Sequence, residues 1–290
     1  MRIANVQGRL AIRTESGWVD VNSASSDRFS VDPQAVYARW DEFCEWAQDV
    51  PADAVAREVG AAELGSPVPA PGQIFAIGLN YDEHAAESRM DTPTAHPPIF
   101  TKFNSCITGP VGSIKLPADG HIDWEVELVA VIGRRAEKVS AADAWSYIAG
   151  LSVGQDISER RLQLAASPPQ FSLAKSYPGF GPIGPWLVTP DEFADPDNLE
   201  LGCSINGETV QKGRTRDLIF TVGQLIEQLS EVLPLMPGDA IFTGTPAGVG
   251  MGREPQRWLQ DGDELVSYVE GIGEMRHRFY VASMESEAVR

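Results

Sequence analysis

Residues 123–133 constrain the fold more than any other part of the sequence, because this segment begins with acidic residues and then becomes wholly apolar. Successive side chains of a β-strand point to opposite faces, so Glu125 and Glu127 share one face. That face continues with Val129 and Val131, and the opposite face carries Trp124, Val126, Leu128, Ala130 and Ile132. The segment therefore predicts a strand that enters a core, with two carboxylates where the covered face begins.

Two interpretations of these carboxylates are open. They can end a strand in water, or they can bind a cation, because like charges about 6–7 Å apart near a covered surface are unfavourable unless a cation or a shared proton offsets them. A third acid favours the cation, since a strand from Leu151 ends at Asp156. Three carboxylates suit Mg²⁺, Mn²⁺ or Ca²⁺, and the absence of a His/Cys cluster in the sequence argues against zinc.

Charge and composition exclude several other classes of protein. With 23 basic and 41 acidic residues the net charge is −18, and such a surface repels nucleic acids and anionic membranes. The first residues contain no long apolar segment, so we expect a cytoplasmic protein. Its three cysteines, Cys44, Cys106 and Cys203, form no disulfide or zinc pattern and are expected to be reduced and mostly buried.

The Pro-rich residues 65–72 predict a boundary between a small N-terminal domain at residues 1–70 and a larger domain at residues 71–290. Helical periodicity and capping residues predict helices at residues 32–49, 141–149 and 221–233. Apolar runs between turns predict strands at residues 74–79, 128–132, 186–188, 240–243 and 265–269.

Several motifs occur in a fixed order along the chain. They are GLNYDEHAAE at 78–87, IDWEVEL at 122–128, QDISER at 155–160, LAKSYPGFGPIGPW at 173–186 and FTGTPAGVG at 242–250. Together these motifs resemble the fumarylacetoacetate hydrolase family over roughly residues 72–282. The resemblance implies a β-rich α+β fold. In it the larger domain, residues 71–290, is the catalytic domain, a mixed β-roll or sandwich with short helices, and the small N-terminal domain is α+β. The resemblance also implies a homodimer.

The resemblance implies that Glu125, Glu127 and Asp156 bind Mg²⁺ or Mn²⁺. It further implies a small keto-acid substrate, whose adjacent oxygens chelate the metal ion. The ion then acts as a Lewis acid. The leading hypothesis is hydrolysis of a C–C bond in an acylpyruvate-type 1,3-diketo acid through a metal-bound enolate. The alternatives are an oxaloacetate-type decarboxylase, an isomerase of 2-hydroxy-diene-dioates, and a catalytically silent binding protein with the same fold.

Catalytic roles follow from the same resemblance. His84 and Glu87 are three residues apart and share a face if the segment is helical, which by spacing alone is equally compatible with a surface contact. The family carries a His-x-x-Glu pair in its lid, where the pair moves a proton and activates water. Lys175, which by sequence alone favours a surface position, is placed in the site by the resemblance, where its ammonium stabilises an enolate.

The resemblance implies that Thr245, Arg160, Gln211 and Lys102 bind substrate. Arg160 and Gln211 could instead support the metal ligands, and by sequence alone Arg160 is equally compatible with a surface ion pair and Gln211 with a polar turn residue. The sequence departs from the family pattern at several positions, which leaves substrate selection open. These departures are Gln155 for Asn, Arg161 for an acidic residue, Arg214 for Asn and Phe103 for Pro. An added guanidinium either favours a dicarboxylate substrate or pairs with the acidic surface.

Overall fold

The computed structural model describes residues 1–50 and 54–281. In these residues the strands are β1 (Arg2–Val6), β2 (Arg9–Thr14), β3 (Gly17–Asp20), β4 (Ala56–Arg57), β5 (Leu64–Gly65), β6 (Ile74–Ile77), β7 (Ile99–Thr101), β8 (Ile107–Thr108), β9 (Val111–Leu116), β10 (Ile122–Asp123), β11 (Val126–Ile132), β12 (Ile148–Gln155), β13 (Ser158–Glu159), β14 (Gly181–Val188), β15 (Glu200–Ile205), β16 (Glu208–Arg214), β17 (Ala240–Phe242), β18 (Glu264–Val269) and β19 (Gly273–Val281). The α-helices are α1 (Val21–Ala24), α2 (Trp40–Ala47), α3 (Asp82–Glu87), α4 (Arg160–Gln163) and α5 (Val222–Val232). The predicted strand-rich α+β class is confirmed.

The strands form two large sheets and one small one. A mixed twelve-stranded sheet has the order β4-β3-β2-β1-β14-β12-β11-β17-β6-β7, with β5 added beside β1 and β8 beside β14. A five-stranded sheet has the order β16-β15-β18-β19-β9, and β10 pairs with β13. Strand β11 therefore lies inside the larger sheet, hydrogen-bonded to β12 on one side and to β17 on the other.

The two faces of β11 cover two different cores, whereas the sequence predicts only that this strand enters a core. One face, which includes Leu128, packs with residues of the five-stranded sheet such as Leu265 and Met275. The other face, which includes Val129, packs with Phe43 and other residues from the N-terminal part of the chain. All seven residues of β11 are buried, so any charge placed at its start faces a covered environment.

The N-terminal residues join the large sheet directly, because β1 pairs with β14. The helix predicted at residues 32–49 is present as a 3-10 helix, Ala35–Arg39, followed by α2. The predicted domain boundary near residue 70 stays a prediction, and residues 282–290 of the predicted catalytic domain lie outside the described part of the chain.

The helix predicted at residues 141–149 is wrong. The structure has a short 3-10 helix, Ala144–Tyr147, and β12 already begins at Ile148. Ser140, the predicted N-cap, bonds the carboxylate of Asp143 instead of capping a helix. Ile148 pairs with Ile132 in the β11–β12 ladder, so sheet pairing prevails over the local helical pattern.

The helix predicted at residues 221–233 is confirmed as α5, where Thr221 and Gln224 form a capping box. Within residues 1–50 and 54–281, none of the helices has the length and apolar character needed to cross a bilayer.

Candidate active site

Three buried carboxylates meet at the start of β11. Glu125 and Glu127 lie two residues apart on one face, and the backbone amide of Asp156 donates to the carbonyl of Glu125 at 2.9 Å. This contact follows from the ladder, since Gln155, the last residue of β12, pairs with Val126. One oxygen from each carboxylate lies within 4.8 Å of the others, so the triad of Glu125, Glu127 and Asp156 could hold a metal ion.

Two buried lysines bond the triad. The Lys175 ammonium donates to Glu125 Oε2 at 2.6 Å and to Asp156 Oδ2 at 2.7 Å. Lys102 donates to Asp156 Oδ1 at 2.6 Å and also to the carbonyl of Lys175. Each lysine is 2% exposed, so these charges persist in the interior only because they are paired.

Arg160 links the triad to a fourth carboxylate. Its Nη2 donates to Glu125 Oε1 at 2.7 Å and its Nε donates to Asp123 Oδ2 at 2.8 Å. Asp123 also accepts the backbone amides of Gly250 and Met251, at 2.6 and 3.0 Å. Asp123 thereby joins the arginine to the loop that carries these two residues.

The pKa values of the glutamates in the triad shift in opposite directions. Burial opposes ionisation of Glu125, but the nearby charges of Lys175 and Arg160 outweigh it and lower its pKa to about 2. Burial raises the pKa of Glu127 well above its usual range, and the carboxylates of Asp156 and Glu125 raise it further. Glu127 accepts the amide of Gly244 at 2.7 Å, and no ion-pair partner for it occurs among the described residues.

His84 and Glu87 form the predicted pair on α3, with 2.8 Å between His84 Nδ1 and Glu87 Oε1. Glu87 also accepts the backbone amides of Gly248 at 2.9 Å and Val249 at 3.4 Å. Since the carboxylate serves as an acceptor in each contact, Nδ1 of His84 is the donor, and in the neutral imidazole Nε2 is the nitrogen with the lone pair. The imidazole is therefore oriented as a base.

A narrow cleft with a cavity volume of about 30 Å³, partly open to solvent, connects these groups. The sequence-predicted residues that line it are His84, Lys175, Glu125, Arg160 and Thr245. The other predicted residues are not among its lining residues: Glu127, Asp156, Glu87, Lys102 and Gln211. The structure thus brings the catalytic and metal-ligating candidates together, and it places Lys102 and Gln211 behind the cleft wall.

Gln211 bonds the elements that surround the triad. Its carbonyl oxygen accepts the amide of Val126 at 2.9 Å, and its amide nitrogen donates to Thr245 Oγ1 at 2.8 Å. Gln155 acts similarly: it accepts the amide of Glu125 and donates to Ser267 Oγ, both at 2.9 Å. The side-chain amides of both glutamines therefore hold β11 and the five-stranded sheet in register around the site.

Several residues of the site escaped the sequence analysis. Gln163 lines the cleft and accepts Nη1 of Arg160 at 2.8 Å. Phe100 lies over the ammonium of Lys175 at 5.2 Å and packs edge-on against Phe171 at 5.4 Å. No local sequence signal predicts the contact between the two aromatic residues, since they meet only through tertiary packing. The spacing of three residues between Arg160 and Gln163 on α4 could have predicted that these two side chains meet.

The added guanidinium groups lie outside the cleft. Arg161 is exposed and its Nη2 lies 3.0 Å from Nε2 of His121. Arg214 donates to Asn198 at 2.7 Å and to the exposed Glu270 at 3.1 Å. Of the two interpretations left open, pairing with the acidic surface is seen for Arg214, whereas Arg161 contacts a histidine.

Residues 73–280 match the family described as fumarylacetoacetate (FAA) hydrolase, C-terminal. The chain belongs to the fumarylacetoacetate hydrolase family. A bovine protein named mitochondrial oxaloacetate tautomerase is 42% identical over 209 residues, which is 72% of this chain and 66% of that relative. The match to this relative therefore spans slightly less than two thirds of its length.

Solved structures of the family have the same fold. A Mycobacterium smegmatis protein, provisionally named HpcE, is 56% identical and superposes with a TM-score of 0.93, over 98% of this chain and 100% of that one. Maleylpyruvate hydrolase from Sphingobium sp. SYK-6, solved with manganese(II) and pyruvate, is 27% identical with a TM-score of 0.80, over 98% and 100% of the two chains. The predicted family and fold are confirmed, and named relatives include a hydrolase and a tautomerase.

Proposed function

We propose that this protein is a divalent-metal-dependent hydrolase that cleaves a C–C bond in acylpyruvate-type 1,3-diketo acids. The observation that carries the proposal is that the oriented imidazole of His84, the ammonium of Lys175 and the carboxylate of Glu125 line a single cleft. A base, a cation and part of a metal-binding triad are the groups that this reaction needs.

The residues fit a divalent cation. Four buried carboxylates, Asp123 and the triad, face three buried cations, Lys102, Lys175 and Arg160. The triad offers hard oxygen ligands, as Mg²⁺ and Mn²⁺ prefer, and Glu127 carries the carboxylate that no side-chain cation neutralises among the described residues. When bound there, the ion supplies a Lewis acid for two adjacent oxygens of a keto acid. Manganese in the Sphingobium relative supports this choice.

Side chains of the protein carry out the proton transfers and stabilise the charge that develops. His84 Nε2 takes a proton from water, whose oxygen bonds to the acyl carbon of the substrate, and Glu87 holds the imidazole in place. The bond between the acyl carbon and the neighbouring CH₂ breaks, and its electron pair becomes the enolate of pyruvate. Lys175 stabilises the negative charge, and the proton held by His84 passes to the CH₂ carbon. The products are a carboxylic acid and pyruvate.

Glu127→Gln tests this proposal, because the substitution removes a ligand charge and leaves the ion pairs of Lys175 and Arg160 unchanged. We expect the purified variant, given Mn²⁺ and acetylpyruvate, to release pyruvate and acetate at least 100-fold more slowly than the wild type. Wild-type activity in Glu127→Gln would show that the triad is not the metal site.

An oxaloacetate tautomerase is the second candidate, and the name of the bovine relative favours it. Tautomerisation needs a base that removes a proton from carbon and returns it to oxygen, which His84 can also do. Mass analysis of the products separates the possibilities. A changed ultraviolet band at unchanged mass indicates tautomerisation or isomerisation, whereas released CO₂ indicates decarboxylation. A protein that binds the keto acid without turnover would be the catalytically silent alternative.

A further inference from the structure

Apart from the catalytic groups, the lining of the cleft is mostly apolar, and its uncharged polar side chains include Ser88 and Gln163. Phe100 and Phe171 form one wall, and Met90 and Met251 contribute another part of the lining. The aromatic pair is mutually packed at 5.4 Å, and Phe100 covers the ammonium of Lys175. We call these four residues the apolar wall.

The cations in the cleft are already engaged with carboxylates. Among the described residues that line the cleft, the permanently cationic side chains are Lys175 and Arg160. Lys175 bonds Glu125 and Asp156, and Arg160 bonds Glu125 and Asp123. The carboxylate and keto oxygens of a keto acid compete with these protein carboxylates for Lys175 and Arg160. A second carboxylate, on the acyl side of the substrate, would face the apolar wall without a cation, which is unfavourable.

Arg89 and Arg253 are not among the residues that line the cleft. Arg89 and Arg253 line a neighbouring groove beyond Ser88, together with the carboxylates of Glu87 and Glu254. The guanidinium of Arg253 is directed at the carbonyl of Val210 at 2.8 Å and lies over the ring of Trp124. Arg89 shares its groove with two acids, so a substrate carboxylate there would meet charges of both signs.

We propose that the acyl side of the substrate is an uncharged, apolar alkyl or aryl group that packs against the apolar wall, and that the enzyme discriminates against a second carboxylate. This inference rests on the proposed function, because it names the substrate class of the same site. Each methylene buried against the apolar wall is expected to raise kcat/KM about fourfold until the cleft is filled.

The test compares two substrates of similar length, pentanoylpyruvate and succinylpyruvate, with the wild-type protein and Mn²⁺. We expect kcat/KM for pentanoylpyruvate to be at least tenfold higher. A preference for succinylpyruvate would overturn the inference and leave the hydrolase proposal standing. If neither compound is cleaved, nor acetylpyruvate, the proposed function itself fails and the inference fails with it.

Variants that add a cation test whether the apolar wall is responsible for the discrimination between the two substrates. Met251→Lys places an ammonium on the apolar wall and should shift the ratio of kcat/KM toward succinylpyruvate at least tenfold. Met90→Lys, at a side chain that is 38% exposed, repeats the test at a position where folding is not at risk. Val232→Lys adds the same charge at an exposed position at the end of α5, and should keep the wild-type ratio. Equal ratios in all four proteins would contradict a role of the apolar wall.

Discussion

Asp123 connects the carboxylate triad to the loop that bonds Glu87, the partner of His84. Its carboxylate bonds Arg160 and the amides of Gly250 and Met251, and Arg160 in turn bonds Glu125. Asp123→Asn keeps the volume but removes the charge that pairs with a buried guanidinium. We expect the free energy of unfolding, measured in urea, to fall by about 3 kcal/mol.

A matched surface change controls for the loss of charge in Asp123→Asn. Glu208 pairs with Arg257 at 2.8 Å, but its side chain is 62% exposed, so Glu208→Gln should change the free energy of unfolding by less than about 1 kcal/mol. Similar losses in the two variants would mean that the buried position of Asp123 has no special importance.

His277 gives the protein a dependence on pH that is separate from the active site. Burial lowers the pKa of His277 from 6.5 to about 4, although its bond to the carbonyl of Gly109, at 3.0 Å, acts in the opposite direction. Since that carbonyl only accepts, Nε2 carries the hydrogen, and Nδ1, which then has a lone pair, is buried with no hydrogen-bond partner among the described residues.

Between pH 6.5 and about 4 the unfolded chain binds a proton at this residue that the folded chain does not bind, so stability falls as the pH falls. His277 alone should make the free energy of unfolding about 2 kcal/mol smaller at pH 5 than at pH 7. His277→Gln, compared by urea unfolding at both values, should lose that part of the difference. An unchanged difference would show that His277 does not titrate in this way.

Individual residues of the site were predictable to different degrees. Strand alternation predicts that Glu125 and Glu127 share a face, because a period of two is a local property of the chain. The structure brings oxygens of their carboxylates within 4.8 Å of each other, although Glu125 precedes the first residue of β11. The bonds of Lys102 and Arg160 to the carboxylates join residues 54 and 35 positions apart, and nothing in the local sequence specifies such a distance. The resemblance identified these residues, but it did not distinguish the cleft wall from the support behind it.

The loop at residues 244–252 bonds two carboxylates that are not part of the triad, those of Glu87 and Asp123. Gly248 and Val249 donate to Glu87, and Gly250 and Met251 donate to Asp123. A side chain at position 250 has no room, since its Cβ would lie 1.9 Å from the carbonyl oxygen of Arg257.

Gly250→Ala should therefore displace this loop. We expect a loss of stability of about 1–3 kcal/mol and a fall in kcat, because both Glu87 and Asp123 lose amide donors. Gly112→Ala is the matched control, as nothing lies within 4 Å of the added Cβ. Thermal unfolding and acetylpyruvate turnover of the two variants measure the effect. Equal stability and equal kcat in the two variants would contradict this role of the loop.

Elements with strong local signals were predicted best. Helix α5 has a capping box and an apolar face, and β11 has an uninterrupted apolar run. The false helix at residues 141–149 shows where local signals fail, because Ile148 gains a sheet partner that the sequence pattern does not reveal.

At the scale of the whole molecule, a bound metal ion should stabilise the fold. A ligand that binds only the folded state adds about 2.7 kcal/mol when its concentration is 100 times its Kd. Mn²⁺ should therefore raise the Tm of the wild type and fail to do so for Glu127→Gln. Glu231→Gln, at an exposed position on α5, should keep the wild-type shift in differential scanning fluorimetry. An equal shift in all three proteins would place the ion elsewhere.

The large sheet includes strands from both sides of the predicted boundary at residue 70, through the pairing of β1 with β14. Sequence alone could not predict this, because the pairing joins Ile3 to Leu187 across almost two thirds of the chain. The homodimer and the cytoplasmic location stay predictions; sedimentation velocity of the full chain measures the first.

The central claim is that the buried triad holds a divalent cation on which cleavage of acylpyruvates depends. The most direct measurement is pyruvate release from acetylpyruvate by protein stripped of metal with a chelator, before and after Mn²⁺ is added. The account predicts that release is lost in the stripped protein and returns with Mn²⁺, together with an equal amount of acetate. Full turnover by the metal-free protein, or loss of acetylpyruvate without pyruvate and acetate, would contradict it.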